Sequence, residues 1–202
     1  MSILGIVAMS PSGKIGYRGQ LLWRLPDDMR WFRKKTMGRY VVMGRKAFLN
    51  LPEKMLYGRR VVVVSKSLMN KGYDGVKQDR KGRWGTVVVV PELGMAFDPE
   101  VLGGSDPQIV VAGGARIYEA TRELIDGWYV TVVDNEPKKW DAVFPGGPLK
   151  LKLYIPECRK VGANAENPYA MTFYAGNIEL PIWVQGMDSP NVANKQAHMS
   201  PL

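Results

Sequence analysis

Arg60-Val-Val-Val-Val64 puts consecutive valines between an arginine and Ser65. Branching at Cβ stiffens χ1 and suits an extended, pleated backbone. A strand with one wet face alternates apolar and polar residues. A strand that is apolar at every position belongs in a sheet covered on both faces. Tyr40-Val-Val-Met43, Thr86-Val-Val-Val-Val90, Gln108-Ile-Val-Val-Ala112 and Trp128-Tyr-Val-Thr-Val-Val133 repeat the pattern, and residues 2–8 read as a further short buried strand. Strands of this kind, separated by short helices, imply an α/β fold. We expect one domain with a mostly parallel central β-sheet flanked by short helices.

Outward from these runs, the intervening segments divide into helices and loops. Pro26 suits a first helical turn, where its missing N–H would have had no partner. A helix is expected from about Pro26 to Met37, a short one over Lys46 to Leu51, and another over roughly Ala115 to Leu124. Met9 to Arg24 holds Gly13, Gly16 and Gly19 and reads as a long flexible loop. Residues 66–85 and 91–107 are rich in Gly, Pro, Lys and Asp and read as loops, with at most a turn or two of helix in the second. Residues near 151–155 and 169–174 read as a closing hairpin. The expected domain covers 1–175, and 176–202 reads as a partly flexible C-terminal extension.

Composition narrows the chemistry. With 202 residues, the chain suffices for one well-buried domain. No apolar run is long enough for a membrane span, and the first residues lack the basic and apolar regions of a signal peptide. The single cysteine, Cys158, fits a reducing cytoplasmic setting. The net charge of +9 favours an anionic ligand or a solvated basic surface. Basic residues are dispersed, with local density at Arg30–Lys35 and Lys77–Arg83, and no aromatic-basic module accompanies them. No nucleic-acid partner is therefore expected. The one histidine, His198, lies in a polar tail. Histidine triads and multi-histidine zinc sites cannot be built within this chain, so no metal site is assigned. Acid–base chemistry falls to carboxylates, tyrosine, lysine or water.

One carboxylate stands out. Helical spacing puts Asp28, Trp31, Phe32 and Thr36 on one face of the first helix. A charge on a face otherwise held by aromatic rings needs a partner or a function. The plainer reading is a first-turn acid favoured by the helix dipole, which Asp27 can supply by itself. Gly113-Gly114 follows an apolar strand and opens a helix, an arrangement that exposes backbone N–H groups to a phosphate or simply makes a tight turn.

The motifs, in order, resemble the dihydrofolate reductase family. They are Ile6-Val7-Ala8, Ile15-Gly16, Leu22-Trp23-Arg24-Leu25-Pro26-Asp27-Asp28, Phe32 with Thr36, and Val42-Met43-Gly44-Arg45. Leu56-Tyr57-Gly58-Arg59, Val63-Val64-Ser65, Val111 to Tyr118, Tyr129-Val130-Thr131 and Val143-Phe144-Pro145 complete the set. The likeness runs from about Ile3 to Tyr174, densest in 3–65 and 108–145 and weak in 66–107.

The resemblance implies reduction of 7,8-dihydrofolate with NADPH, inhibition by antifolates, and a monomer. It makes Asp28 the catalytic carboxylate at the pterin and Thr131 its hydrogen-bond partner. It assigns the substrate's surroundings to Ile6, Met29, Phe32, Arg33 and Leu51, with Arg59 clamping the carboxylate of the glutamate tail. Arg60 is adjacent, so a one-residue slip in that assignment is open. The cofactor falls to Ala8, Lys14, Ile15, Gly16, Gly19 and Gln20 on one side. Gly44, Arg45, Lys46, Ala47, Ser65 and Lys66 meet its phosphates, and Ala112, Gly113, Gly114, Ala115, Arg116, Ile117 and Tyr118 complete the set. Many members have a third glycine where this chain has Ala115, and a Met-Pro pair where it has Leu21-Leu22. The second departure bears on loop closure, because proline restricts the backbone. Two rivals share the fold. A pyrimidine reductase of riboflavin synthesis would lack the Trp23–Asp28 lead-in, and a non-catalytic basic interaction protein would not need both binding regions.

Overall fold

The computed structural model describes residues 1–78, 82–103, 107–146, 152–153, 157–176 and 178–179. Its strands are β1 (Ser2–Met9), β2 (Lys14–Gly16), β3 (Tyr40–Gly44), β4 (Arg60–Val64), β5 (Gly75–Gln78), β6 (Trp84–Val90) and β7 (Gln108–Val111). They continue with β8 (Gly127–Val133), β9 (Ala142–Val143), β10 (Lys152–Leu153), β11 (Glu157–Val161), β12 (Met171–Gly176) and β13 (Ile178–Glu179). The helices are α1 (Pro26–Thr36), α2 (Arg45–Leu49), α3 (Pro99–Leu102) and α4 (Ala115–Thr121).

The valine runs form the middle of a nine-stranded sheet in the order β11-β12-β8-β1-β7-β3-β4-β6-β5. From β8 to β6 every neighbouring pair is parallel. The two edges are closed by antiparallel partners, β12 and β11 on one side and β5 on the other. The expected α/β class and mostly parallel sheet match this architecture.

Alternation along each buried strand divides its side chains between two faces. Tyr40, Val42, Val62, Val90, Ile109 and Val111 join one cluster with Tyr118 of α4 and Leu102 of α3. Val41, Met43, Val61, Val63, Val87 and Val89 lie in a second cluster with Phe48 of α2. Ile6, Val110, Val133 and Phe173 form a third with Trp31 of α1. Ala112 packs against both the second and the third.

Several boundaries differ from the sequence reading. The 66–85 loop contains β5 and the start of β6. Gly75-Val-Lys-Gln78 is too polar to read as a strand, but an edge strand tolerates polar residues because one side meets water. The closing hairpin is not 151–155 against 169–174. β12 pairs with β11, Val161 opposite Met171, while Lys152–Leu153 pairs with Ile178–Glu179. The Met9–Arg24 loop carries β2, paired with β9. α2 stops at Leu49, leaving Leu51 beyond it, and α4 stops at Thr121 before a 3-10 turn over Arg122–Leu124. The loosely held tail, 185–202, lies outside the described residues, as does all but 178–179 of the extension beyond Gly176.

Candidate active site

α1 starts where Pro26 predicts, and its first turn carries Asp27 and Asp28. Burial disfavours the ionised form of Asp28 and outweighs the hydrogen bond from Thr131, pushing its pKa up to about 6. The strand register explains how Thr131 comes to be there. Ala8 of β1 lies level with Thr131 of β8, and Ile6 with Tyr129. Thr131 is 1% exposed, a buried hydroxyl that needs a partner. Trp31, one turn along the helix from Asp28, packs on Phe173 and Tyr129 at 5.2 and 6.1 Å. Its buried indole N–H has no acceptor among the described residues.

Arg59 and Arg60 have different surroundings. Arg60 heads β4, exposed, and donates to the Tyr40 hydroxyl at 2.6 Å. Arg59 is 3% exposed. It donates to Thr36 Oγ1 at 2.7 Å and to the carbonyls of Met55 and Tyr57 at 2.8 and 2.9 Å. Its remaining nitrogen, Nη2, reaches the Arg33 carbonyl only at 3.5 Å. Burial, with the charge of Arg33 added, lowers its pKa to about 10, so it stays a cation at neutral pH. Its guanidinium lies 5.8 Å from the centre of the Phe32 ring. Thus Arg59, Phe32 and Arg33 come together, while Leu51 packs with the α2 cluster. Met29 is half-buried on α1.

Where β3 and β7 end, two glycines make close approaches. The Gly44 N–H donates to the Gly113 carbonyl at 2.7 Å. Gly113 has φ of 99°, and a Cβ there would come within 2.9 Å of the Tyr118 hydroxyl. Gly114 is different. A Cβ on it would meet nothing within 4 Å, so the backbone opening α4 lies uncovered. The Gly113–Gly114 peptide is cis. Tyr118 donates to the Ile6 carbonyl at 2.6 Å, and burial plus the charge of Asp28 push its phenol above the ordinary tyrosine range. Ala115 and Ile117 pack on the cluster beneath α4, and Arg116 is exposed.

Basic side chains rim this end of the sheet. Arg45, Lys46 and Lys66 are exposed, and Lys66 lies 3.4 Å from Glu92. The Ser65 and Ser67 hydroxyls are 3.2 Å apart. Ala47 is half-buried beside Phe48. A Cβ on Gly19 would meet Asn50 at 3.3 Å and Lys46 at 3.8 Å, so the early loop reaches α2. Ile15 and Gly16 are buried, Ala8 is half-buried and Gln20 is exposed.

Sequence reasoning missed the groups that hold this loop. Glu136 accepts from the Ser12 N–H and hydroxyl at 2.8 and 2.7 Å and pairs with Lys14 at 2.9 Å. Burial opposes its ionisation, but the Ser12, Lys14 and Ser10 contacts outweigh it and lower its pKa to about 2. Asp141 accepts from the Arg18 N–H at 2.8 Å, and Trp23 donates to Asn135 at 2.8 Å. Asn167, also missed, bonds Asp27. These partners lie more than a hundred residues apart, and no local pattern announces them.

The donor set suits a phosphate-bearing dinucleotide, with an uncovered glycine turn on one side and exposed cations on the other. Comparison with known proteins gives the family. The family model described as dihydrofolate reductase matches residues 2–177. A dihydrofolate reductase of Mycobacterium tuberculosis is 46% identical over 139 residues, covering 66% of this chain and 73% of that protein. One from Buchnera aphidicola is 27% identical over 175 residues, 86% of this chain and 97% of that protein. Dihydrofolate reductase type 9 of Escherichia coli is 36% identical over 132 residues, 63% of this chain and 68% of its own length. On the match across nearly the whole described sheet, this chain belongs to the dihydrofolate reductase family.

Proposed function

We propose that this chain reduces 7,8-dihydrofolate to 5,6,7,8-tetrahydrofolate with NADPH, as a cytoplasmic monomer that antifolates inhibit. The observation that carries this reading is Asp28, a carboxylate with its pKa raised to about 6 on a face of aromatic side chains. When bound, NADPH supplies the hydride. The chain supplies binding, orientation and charge.

A pterin offers a ring N–H and an exocyclic amino group side by side, and the two oxygens of Asp28 can accept both. The same negative charge favours the protonated pterin that hydride addition requires. Thr131 holds the carboxylate in place, and Trp31 with Phe173 and Tyr129 keeps that side dry. Arg59 suits the α-carboxylate of the glutamate tail. Three of its bonds fix the plane of the fork, and Nη2, whose contact to the Arg33 carbonyl is long, is left to donate to a carboxylate oxygen in that plane. Ile6, Met29, Phe32, Arg33 and Leu51 would flank the rings and tail.

Gly113, Gly114 and Ala115 would present backbone N–H groups to the pyrophosphate. Gly44, Arg45, Lys46 and Ala47 would meet it from the other side, and Ser65 with Lys66 would take the 2′-phosphate. Ala8, Lys14, Ile15, Gly16, Gly19, Gln20, Ala112, Arg116, Ile117 and Tyr118 would line the rest. The test is NADPH oxidation in the presence of dihydrofolate. Activity that methotrexate abolishes is the expected result. No turnover, or equal efficiency with NADH, would refute the reaction or the 2′-phosphate assignment respectively.

A further inference from the structure

α1 has no cap of its own. The residue at its N-cap position is Leu25, extended at φ −124° and ψ 100°, with no side-chain bond to the helix. Pro26 has no N–H, so the first donor needing a partner is that of Asp27. Asn167 supplies one from 140 residues away. Its Oδ1 accepts from the Asp27 N–H at 3.1 Å, and its Nδ2 donates to Asp27 Oδ2 at 2.9 Å. Asn167 is 0% exposed.

The turn that carries it is itself tied. Asn164 Oδ1 accepts the backbone N–H groups of Glu166 and Asn167, both at 2.9 Å, and the Asn164 N–H donates to the Asn167 carbonyl at 2.8 Å. Arg30 joins Asp27 at 2.7 Å to Glu166 at 3.1 Å. Past this turn the chain enters β12, where Phe173 pairs with Thr131 of β8. One segment therefore anchors both the backbone before Asp28 and the strand whose threonine bonds its carboxyl.

We propose that Asn167 is a positioning residue for the reductase reaction. Its clamp on Asp27 fixes the first turn of α1 and so sets where the Asp28 carboxylate stands relative to the pterin. This inference rests on the functional reading above. A merely structural clamp would affect folding alone. A positioning clamp also affects the hydride step, since a displacement of about 1 Å can cost roughly 100-fold in rate. The groups tied to Asp28 itself are Thr131 of β8 and the Tyr118 phenol of α4, while the charges of Asp27, Arg30 and Glu166 form the ion-paired cluster around the clamp. β1 contains no ionisable side chain.

The experiment uses the full chain, with single-turnover hydride transfer followed from pH 5 to 9, the NADPH dissociation constant, and thermal unfolding. Asn167→Ala and Asn167→Asp should each slow the hydride step about tenfold or more, within the range above. Each should also move the apparent pKa of the rate profile, with NADPH affinity unchanged. The Asp27→Asn/Asn167→Asp double variant reverses the polarity of the side-chain bond and keeps the acceptor for the Asp27 N–H. It should recover the wild-type rate and profile. Single variants with lowered unfolding temperature but wild-type rate and profile would overturn the proposal, and so would a folded double variant that is not rescued. Where Asn167→Ala does not fold, the comparison of Asn167→Asp with the double variant decides. Wild-type turnover, measured alongside, separates the two failures. An inactive wild type sinks the functional reading, whereas an active one with indifferent Asn167 variants sinks only the positioning role.

Discussion

On the side of the sheet under α3 and α4, one apolar cluster runs without a break from Ile3 to Phe144 and holds Trp128, Tyr118 and Phe144 in mutual ring contact. On the side under α1 and α2, the same valine strands support two clusters that share only Ala112. Asp28 and Arg59, polar groups proposed to act on substrate, sit on or against α1 on this divided side, and Thr36 of the same helix accepts from Arg59. A continuous core gains its stability from area removed from water. Both sides bury apolar side chains on that scale, but the divided one also holds the desolvated Asp28 and Arg59. The two faces therefore differ in the charge they bury and not in the extent of their apolar packing.

Asp28→Asn should break this contrast most sharply. Removing the carboxylate should lower the hydride-transfer rate at pH 7.5 by about 10²–10⁴-fold, the span of general acid–base effects, as read by stopped-flow. The stability change should have the opposite sign. The folded pKa of about 6 lies above the ordinary aspartate value of 3.8. The native state therefore holds its proton to higher pH than the unfolded chain does, and stability falls as pH rises through that window. The asparagine variant escapes this penalty and should be more stable than wild type at pH 7.5, by up to about 3 kcal/mol. The reacting state needs one proton in the Asp28–pterin pair, so the wild-type hydride rate should itself fall as pH rises above about 6, where the pair loses that proton. A flat profile would count against Asp28.

Trp128→Ala should do the reverse. Trp128 is 2% exposed, and its truncation should cost about 3–5 kcal/mol in denaturant unfolding. The hydride rate of the protein that remains folded should fall far less than in Asp28→Asn, because the ring meets the proposed site only through its packing on Tyr118. Arg59→Lys keeps a cation but loses the planar fork. KM for dihydrofolate should rise about 10- to 100-fold, the equivalent of one or two charged hydrogen bonds, while a substrate lacking the glutamate tail is unaffected. The smallest effect belongs to Glu136→Gln. It weakens the hold on Ser12 and Lys14, and the partly exposed Lys14 pair contributes about 1 kcal/mol at most. The unfolding temperature should change little, while proteolysis within residues 10–20 quickens and, on the reading that this loop closes over the proposed site, kcat falls a few-fold.

Much of this was legible in the chain. The valine runs announced buried strands, Pro26 marked the start of α1, and the single histidine left acid–base work to groups such as Asp28, the carboxylate proposed above. Helical spacing placed Asp28 with Trp31 and Phe32. β5 was missed because an edge strand does not need apolar residues at every position. The final hairpin was displaced because Glu157-Cys-Arg-Lys-Val161 alternates too weakly to announce itself.

The amino-acid sequence by itself determined which segments extend and which coil, since propensity, proline geometry and periodicity act over a few neighbouring residues. Only the tertiary structure decided which arginine of the Arg59–Arg60 pair is buried, that Glu136 grips the early loop, and that Asn167 caps α1. Those choices depend on groups more than a hundred residues apart in the chain, or on which side of a sheet a residue happens to face. Burial and hydrogen-bond satisfaction make them, and both belong to the assembled fold.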